Sequence, residues 1–260
     1  MAKVLAICNQ KGGVTKTTTT VNLGVGLALQ GKKVCLIDAD PQGDLTTSLG
    51  WPDNDSLSIT LATLMDKVIN DEPIDPQKGI LQHAEGVDLV PANMELSGME
   101  VDLVSVMSRE YTLKSYIETI KGAYDFVLID CMPSLGMLTI NALAAADSVI
   151  VPVQAQYLPA KGMTQLMRTI AKVKKQINPQ LAISGILMTL VDARTNLARA
   201  TEDTLRQQYG NHIRIYEARI PVSVRAAESS AAGQSIFTYD PGSKVAEAYA
   251  KLAEMVIADA

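Results

Sequence analysis

The chain has 260 residues, 47% apolar and 20% charged, with a net charge of −5. That composition excludes wholesale disorder and supports a large buried core at the upper end of single-domain size. No apolar run nears the ~18 residues of a membrane span, the start lacks the pattern of a signal peptide, and aromatic residues, 4% of the chain, are too few for base-stacking platforms.

In chain order, Lys3–Cys8 reads as a strand, Thr17–Leu29 as a helix and Lys33–Asp38 as a second strand dense in Val, Leu and Ile. Trp51–Asp75, with Pro52, Asp53, Asn54, Asp55 and Pro73, reads as a loop-and-helix excursion, not a boundary. Val87–Pro91 is a weaker strand, Thr112–Lys121 a helix, Asp125–Asp130 and Ser148–Val153 strands, and Gly162–Ile177 an amphipathic helix. Leu181–Leu190 is strand, Thr195–Tyr209 helix, Ile213–Ile215 a short strand and Ser243–Ile257 a terminal helix. Strands apolar on both faces belong in the middle of a parallel sheet. Their alternation with helices builds right-handed βαβ units. The expected fold is α/β: a doubly wound, mostly parallel sheet flanked by helices, one domain over residues 1–260 with no linker and no internal repeat. Cys8, Cys35 and Cys131 are too few and too scattered for a disulfide framework or a metal site. They read as small buried residues of a cytoplasmic protein.

The strongest local signal is Asn9-Gln10-Lys11-Gly12-Gly13-Val14-Thr15-Lys16-Thr17-Thr18, directly after the first strand and opening a helix. Glycines there let backbone N–H groups turn in around phosphate oxygens, and the helix N-terminus adds its dipole. Lys16 would neutralise the β- and γ-phosphates, and the Thr17 hydroxyl would ligate Mg²⁺. Gln10 and Thr15 stand where the common P-loop pattern has glycine. Thr15 is β-branched and takes a positive φ only at a cost. Either its dihedrals are ordinary, or affinity and turnover are altered. Asp130 ends an apolar strand, where ligands of open α/β sheets bind. Asp38 and Asp40 share that geometry.

Lys11-Gly12-Gly13-x-x-Lys16-Thr17 resembles the deviant Walker A motif of the ParA/MinD family of ATPases. Asp38-Ala39-Asp40-Pro41-Gln42-Gly43 is similar to that family's second acidic motif, and Leu128-Ile129-Asp130-Cys131-Met132-Pro133-Ser134-Leu135-Gly136 to its Walker B segment, with Met132 in place of a usual proline. Asp192-Ala193-Arg194-Thr195-Asn196-Leu197, Ile220-Pro221, Val224-Arg225 and Glu228 resemble the C-terminal half of the small Soj/ParA partition ATPases. The similarity runs from about Lys3 to about Val256, and the motifs fall in the right order.

The resemblance implies a P-loop ATPase of slow intrinsic turnover that uses ATP and Mg²⁺. Lys11, Gly12, Gly13, Val14, Thr15, Lys16, Thr17 and Thr18 would contact nucleotide, and Thr189, Pro221 and Val222 would wall the base pocket. Thr17 would hold the metal directly and Asp130 through water. Asp40 would place the attacking water, and Asp38 would support the loop or the metal shell. Lys11 would cross an ATP-dependent homodimer interface to the partner's phosphates, much as an arginine finger acts in trans. Arg194 and Arg225 would contact duplex DNA without sequence preference. A ParB-type DNA-binding adaptor would stimulate hydrolysis and release, and the ATP-bound form would sit on the nucleoid.

The alternative is a MinD-like membrane-associated positioning ATPase. It needs a basic amphipathic C-terminal helix, whereas this chain ends in EMVIADA. No membrane is therefore expected. An iron–sulfur electron-transfer ATPase would need cluster cysteines that are not here. With two residues before the first strand, no N-terminal helix-turn-helix extension for operator binding is expected.

Overall fold

The computed structural model describes residues 2–155, 160–192 and 194–260. The elements run β1 (Lys3–Ile7), α1 (Lys16–Leu29), β2 (Val34–Ala39), α2 (Asp44–Ser48), α3 (Leu61–Ile69), β3 (Leu81–Gln82), β4 (Val87–Val90), α4 (Leu96–Asp102) and α5 (Thr112–Ile120). Then come β5 (Phe126–Cys131), α6 (Met137–Ala145), β6 (Ser148–Gln154), α7 (Ala160–Gln176), β7 (Ala182–Val191), α8 (Asn196–Tyr209), β8 (Ile215–Pro221), α9 (Val224–Ala231), α10 (Ile236–Tyr239) and α11 (Lys244–Ala258).

The strands form one sheet in the order β3-β4-β2-β5-β1-β6-β7-β8. Every pairing is parallel except β3 against β4. β2 and β5 are buried along their whole length, the pattern of central strands covered on both faces. One apolar layer joins the sheet to α1 and α11 through Leu23, Leu27, Tyr249 and Leu252; the other joins it to α3, α5, α6 and α7 through Leu64, Ile117, Leu143 and Leu166. This is the doubly wound α/β architecture expected.

The short elements α2, β3, α4, α9 and α10 have no counterpart in the sequence reading, and two larger elements also differ from it. The last strand is Ile215–Pro221, not Ile213–Ile215. Tyr216, Ala218 and Ile220 point inward while Glu217 and Arg219 face solvent, the alternation of a strand covered on one face. The second is α6, for which no helix was expected. Its apolar residues run round the helix with no polar stripe, so no period of 3.6 marks it.

β1 is flanked by β5 and β6, so the chain leaves it in opposite directions on its two sides. A crevice opens at such a switch point beyond the carboxyl ends of the strands.

A phosphate-binding loop faced by three carboxylates

The loop from β1 to α1 lies in that crevice and is held from outside itself. Asn9 Nδ2 donates to Pro152 O at 2.6 Å, and Asn9 Oδ1 accepts the Lys11 N–H at 3.0 Å. Thr189 is fully buried and its hydroxyl donates to Val14 O at 3.1 Å. Thr189 therefore braces the loop from β7 and offers no exposed wall to a base. Pro221 is half-buried at the end of β8, and Val222 is exposed. β8 is three strands from β1, ~14 Å across the sheet.

Gly12 and Gly13 lie exposed on the loop, and a Cβ on either would meet nothing within 4 Å. Gly13 has φ +71°, a conformation glycine takes without cost. Thr15 has φ 66° and ψ 33°, so its dihedrals are not ordinary. Left-handed backbone at a β-branched residue costs ~1–2 kcal/mol. Thr15 and Thr18 are half-buried, and Val14 is buried.

The two loop lysines differ. Lys16 is only 7% exposed, yet its ammonium reaches just the Lys11 carbonyl, at 3.4 Å, and has no ion pair among the described residues. Asp130 and Asp40 feel its charge without pairing with it; a buried cation so loosely matched is costly, and phosphate oxygens in the loop would complete it. Lys11 is exposed and its Nζ donates to Gln154 Oε1 at 3.2 Å.

Opposite the loop stand three acids. Asp130 is buried; its Oδ2 accepts the Thr17 hydroxyl at 2.6 Å and its Oδ1 the Thr20 hydroxyl at 3.3 Å. Burial, reinforced by the Asp38 charge, pushes its carboxyl up to about 8. Asp38 is its register partner on β2. Asp38 Oδ2 accepts from Thr46 N–H at 2.9 Å and Thr46 Oγ1 at 2.7 Å, and Oδ1 from Asp40 N–H at 3.3 Å. Burial raises it to about 7 against those bonds. Of the roles left open for Asp38, its bonds serve the loop that follows β2. Asp40 is buried, accepts the Gln42 N–H at 3.0 Å, and is also raised by burial.

Carboxylates desolvated this way are relieved by a cation. Among the described residues no three His, Cys, Asp or Glu side chains cluster as metal ligands. The donors at hand are the Thr17 hydroxyl and Asp130, which suit a hard ion that keeps several waters, as Mg²⁺ does. The residues thus fit a nucleotide triphosphate with magnesium: Lys16 and the loop N–H groups for phosphate, Thr17 and Asp130 for the metal. Such an ion supplies charge neutralisation on the transferring phosphoryl group.

Farther along the edge, Arg194 has a 90% exposed side chain and forks onto Asp192, Nε to Oδ1 and a terminal nitrogen to Oδ2, each at 3.0 Å. Ala193 of that motif lies outside the described residues. Arg225 is exposed, 3.8 Å from Glu228 Oε2 and over the Tyr239 ring at 5.7 Å. Val191 and Pro221 are register partners, so both arginines follow adjacent strand ends. The terminal helix α11 buries Tyr249, Leu252, Ala253 and Val256. Among the described residues no helix is long and apolar enough to cross a membrane. The sequence assigns no role to Asn9, although it opens the loop motif, or to Thr20, Thr46 and Gln154; each bonds a partner remote in sequence.

The model of a family described as an AAA domain matches residues 2–183. The chain is 44% identical over 259 residues to the sporulation initiation inhibitor protein Soj of Bacillus subtilis, covering 100% of both chains. It is 42% identical over 257 residues to the chromosome partitioning protein ParA of Caulobacter vibrioides, covering 98% of this chain and 94% of that one. A crystal structure from Mycobacterium smegmatis, described as cobyrinic acid a,c-diamide synthase with bound ADP and magnesium, superposes with a TM-score of 0.86 at 38% identity over 99% of this chain and 94% of that one. A second structure of that protein holds an ATP analogue and magnesium. The chain belongs to the ParA/MinD family of deviant Walker A ATPases, is similar within it to the Soj and ParA partition proteins, and is a P-loop ATPase with ATP and Mg²⁺ as cofactors.

Proposed function

We propose that this protein is the ATP-dependent switch of a DNA-partition system, a single ATPase domain that dimerises around ATP and binds duplex DNA as the dimer. The observation that carries this reading is the division of labour between the loop lysines. Lys16 is buried at the phosphate cradle, while Lys11 is turned to the surface of the same loop. One lysine suffices for phosphate bound in cis; the outward one suits phosphate on a second copy. Asp40 orients the attacking water, and Thr17 with Asp130 holds Mg²⁺. Hydrolysis removes the γ-phosphate on which the interface is built, and the dimer parts from DNA.

Arg194 and Arg225 contact phosphates and carry no base identity. A ParB-type adaptor stimulates hydrolysis, and the protein cycles between cytoplasm and nucleoid. The membrane alternative is disfavoured by α11, whose apolar face is spent on the core.

Size-exclusion chromatography with ATP or ADP, with and without non-specific duplex, tests the reading. A dimer that elutes with DNA only in ATP is expected. DNA binding without ATP, or a monomer in every condition, rejects the switch. Asp40→Ala is expected to stay dimeric and DNA-bound in ATP.

A further inference from the structure

Gly136 precedes α6 with φ −75° and ψ −170°, backbone open to any residue. What a side chain there would displace is a neighbour: a Cβ would lie 2.7 Å from both carboxylate oxygens of Glu100, which would have to shift. Glu100, on α4, reaches across to α6. Its Oε2 accepts the Met137 N–H at 3.0 Å and its Oε1 the Leu138 N–H at 2.9 Å. These belong to the four N–H groups a helix leaves unpaired at its start, and α6 has no side-chain cap from Gly136. A carboxylate at that end gains from both the charged hydrogen bonds and the helix dipole.

The clasp closes a ring around the acids. Thr46 Oγ1, which donates to Asp38, also accepts the Ala92 N–H at 3.0 Å. From Ala92 the chain turns into α4, with Asn93 O accepting the Leu96 N–H at 3.1 Å. Glu100 crosses from α4 to α6, and residues 131–136 lead back to Asp130. Inside that segment Ser134 N–H donates to Met132 O at 2.9 Å and Gly136 N–H to Ser134 Oγ at 3.2 Å. The segment is thus anchored by β5 at one end and by Glu100 at the other.

We propose that Glu100 is a positioning residue for ATP hydrolysis: by clasping the start of α6 it sets the path of residues 131–136 beside Asp130, without touching nucleotide. The proposal rests on the ATPase chemistry and not on DNA partition, so loss of the DNA reading leaves it standing.

The test measures kcat, KM for ATP and Tm for full-length Glu100→Ala, Glu100→Gln and Gly136→Ala. Glu100→Ala is expected to lower kcat ~10-fold with KM changed less than ~2-fold, because the loop that binds phosphate keeps its bonds. Glu100→Gln keeps a carbonyl oxygen for one N–H and recovers most of the rate. Gly136→Ala pushes the carboxylate off α6 and reproduces the kcat loss. An unchanged kcat in folded Glu100→Ala, or a loss confined to KM, overturns the proposal. Should Glu100→Ala not fold, Gly136→Ala decides, and full turnover there overturns it.

Discussion

The carboxyl edge of the sheet carries two sets of charge that the fold treats in opposite ways. Around β1, β2 and β5 the charges are buried: Lys16 has no ion pair among the described residues, and burial pushes the Asp38 and Asp130 carboxyls up to about 7 and about 8. Beyond β7 and β8 the charges are exposed and already matched, Arg194 to Asp192 and Arg225 to Glu228. Arg219 and Arg206 share Glu202 at 2.6 and 2.9 Å. Buried, uncompensated charge is expensive and persists where a ligand completes it. Exposed pairs are worth at most ~1 kcal/mol, so a polyanion can take the arginines over at little cost, and salt can take them back.

Breaking the buried set should have the largest effect. Lys16→Ala is expected to weaken Mg-ATP binding by ~100-fold or more, the ~3 kcal/mol of a charge-assisted contact to phosphate. Lys11→Ala should leave that affinity within a few fold and abolish ATP-driven dimerisation. Calorimetry with Mg-ATP and sizing of both variants check this; a normal ATP dimer in Lys11→Ala would remove its role in trans.

The exposed set is probed through salt. The proposed dimer presents two copies each of Arg194 and Arg225, so log K against log salt should fall with a slope of about −3 to −4. Arg225→Ala should make that slope shallower by ~2, equally on unrelated sequences. Asp192→Asn releases Arg194 from its fork and should tighten binding up to ~5-fold. An unchanged slope in Arg225→Ala would move the contact elsewhere, Lys172, Lys174 and Lys175 on α7 being the next basic cluster in sequence.

A third difference is in pH. A carboxyl raised in the folded state favours folding when protonated. Its contribution is full below the ordinary carboxylate value and is lost as pH rises through about 7 for Asp38 and about 8 for Asp130. The Tm of nucleotide-free protein should therefore fall from pH ~4 to pH ~8, with less of a fall in Asp130→Asn. The exposed pairs should contribute nothing in that window. A flat profile would show that the acids are not held uncompensated.

The smallest effect concerns Thr15. Glycine relieves the cost of φ 66° and adds ~0.5–1 kcal/mol of unfolded-chain entropy. The net gain should raise Tm by ~1–3 °C. A lower Tm would mean that buried contacts of the threonine outweigh its backbone strain.

Local pattern determined much of this protein. The run from Asn9 to Thr18, the apolar strands ending in Asp38 and Asp130, and the strand–helix alternation announce the α/β fold and the phosphate loop, because each is written in neighbouring residues. Where the pattern is absent or long-range, tertiary structure decided. The helix α6 is covered on all sides and so has no period to read. Thr15, between β1 and α1, takes a positive φ that its residue type disfavours. The hydroxyl of Thr189 goes to Val14, 175 residues away in sequence, and the carboxylate of Glu100 to the start of α6, 37 and 38 residues on. The sequence names the charged groups; which are buried, paired or left for a ligand depends on atoms that only folding brings within hydrogen-bond reach.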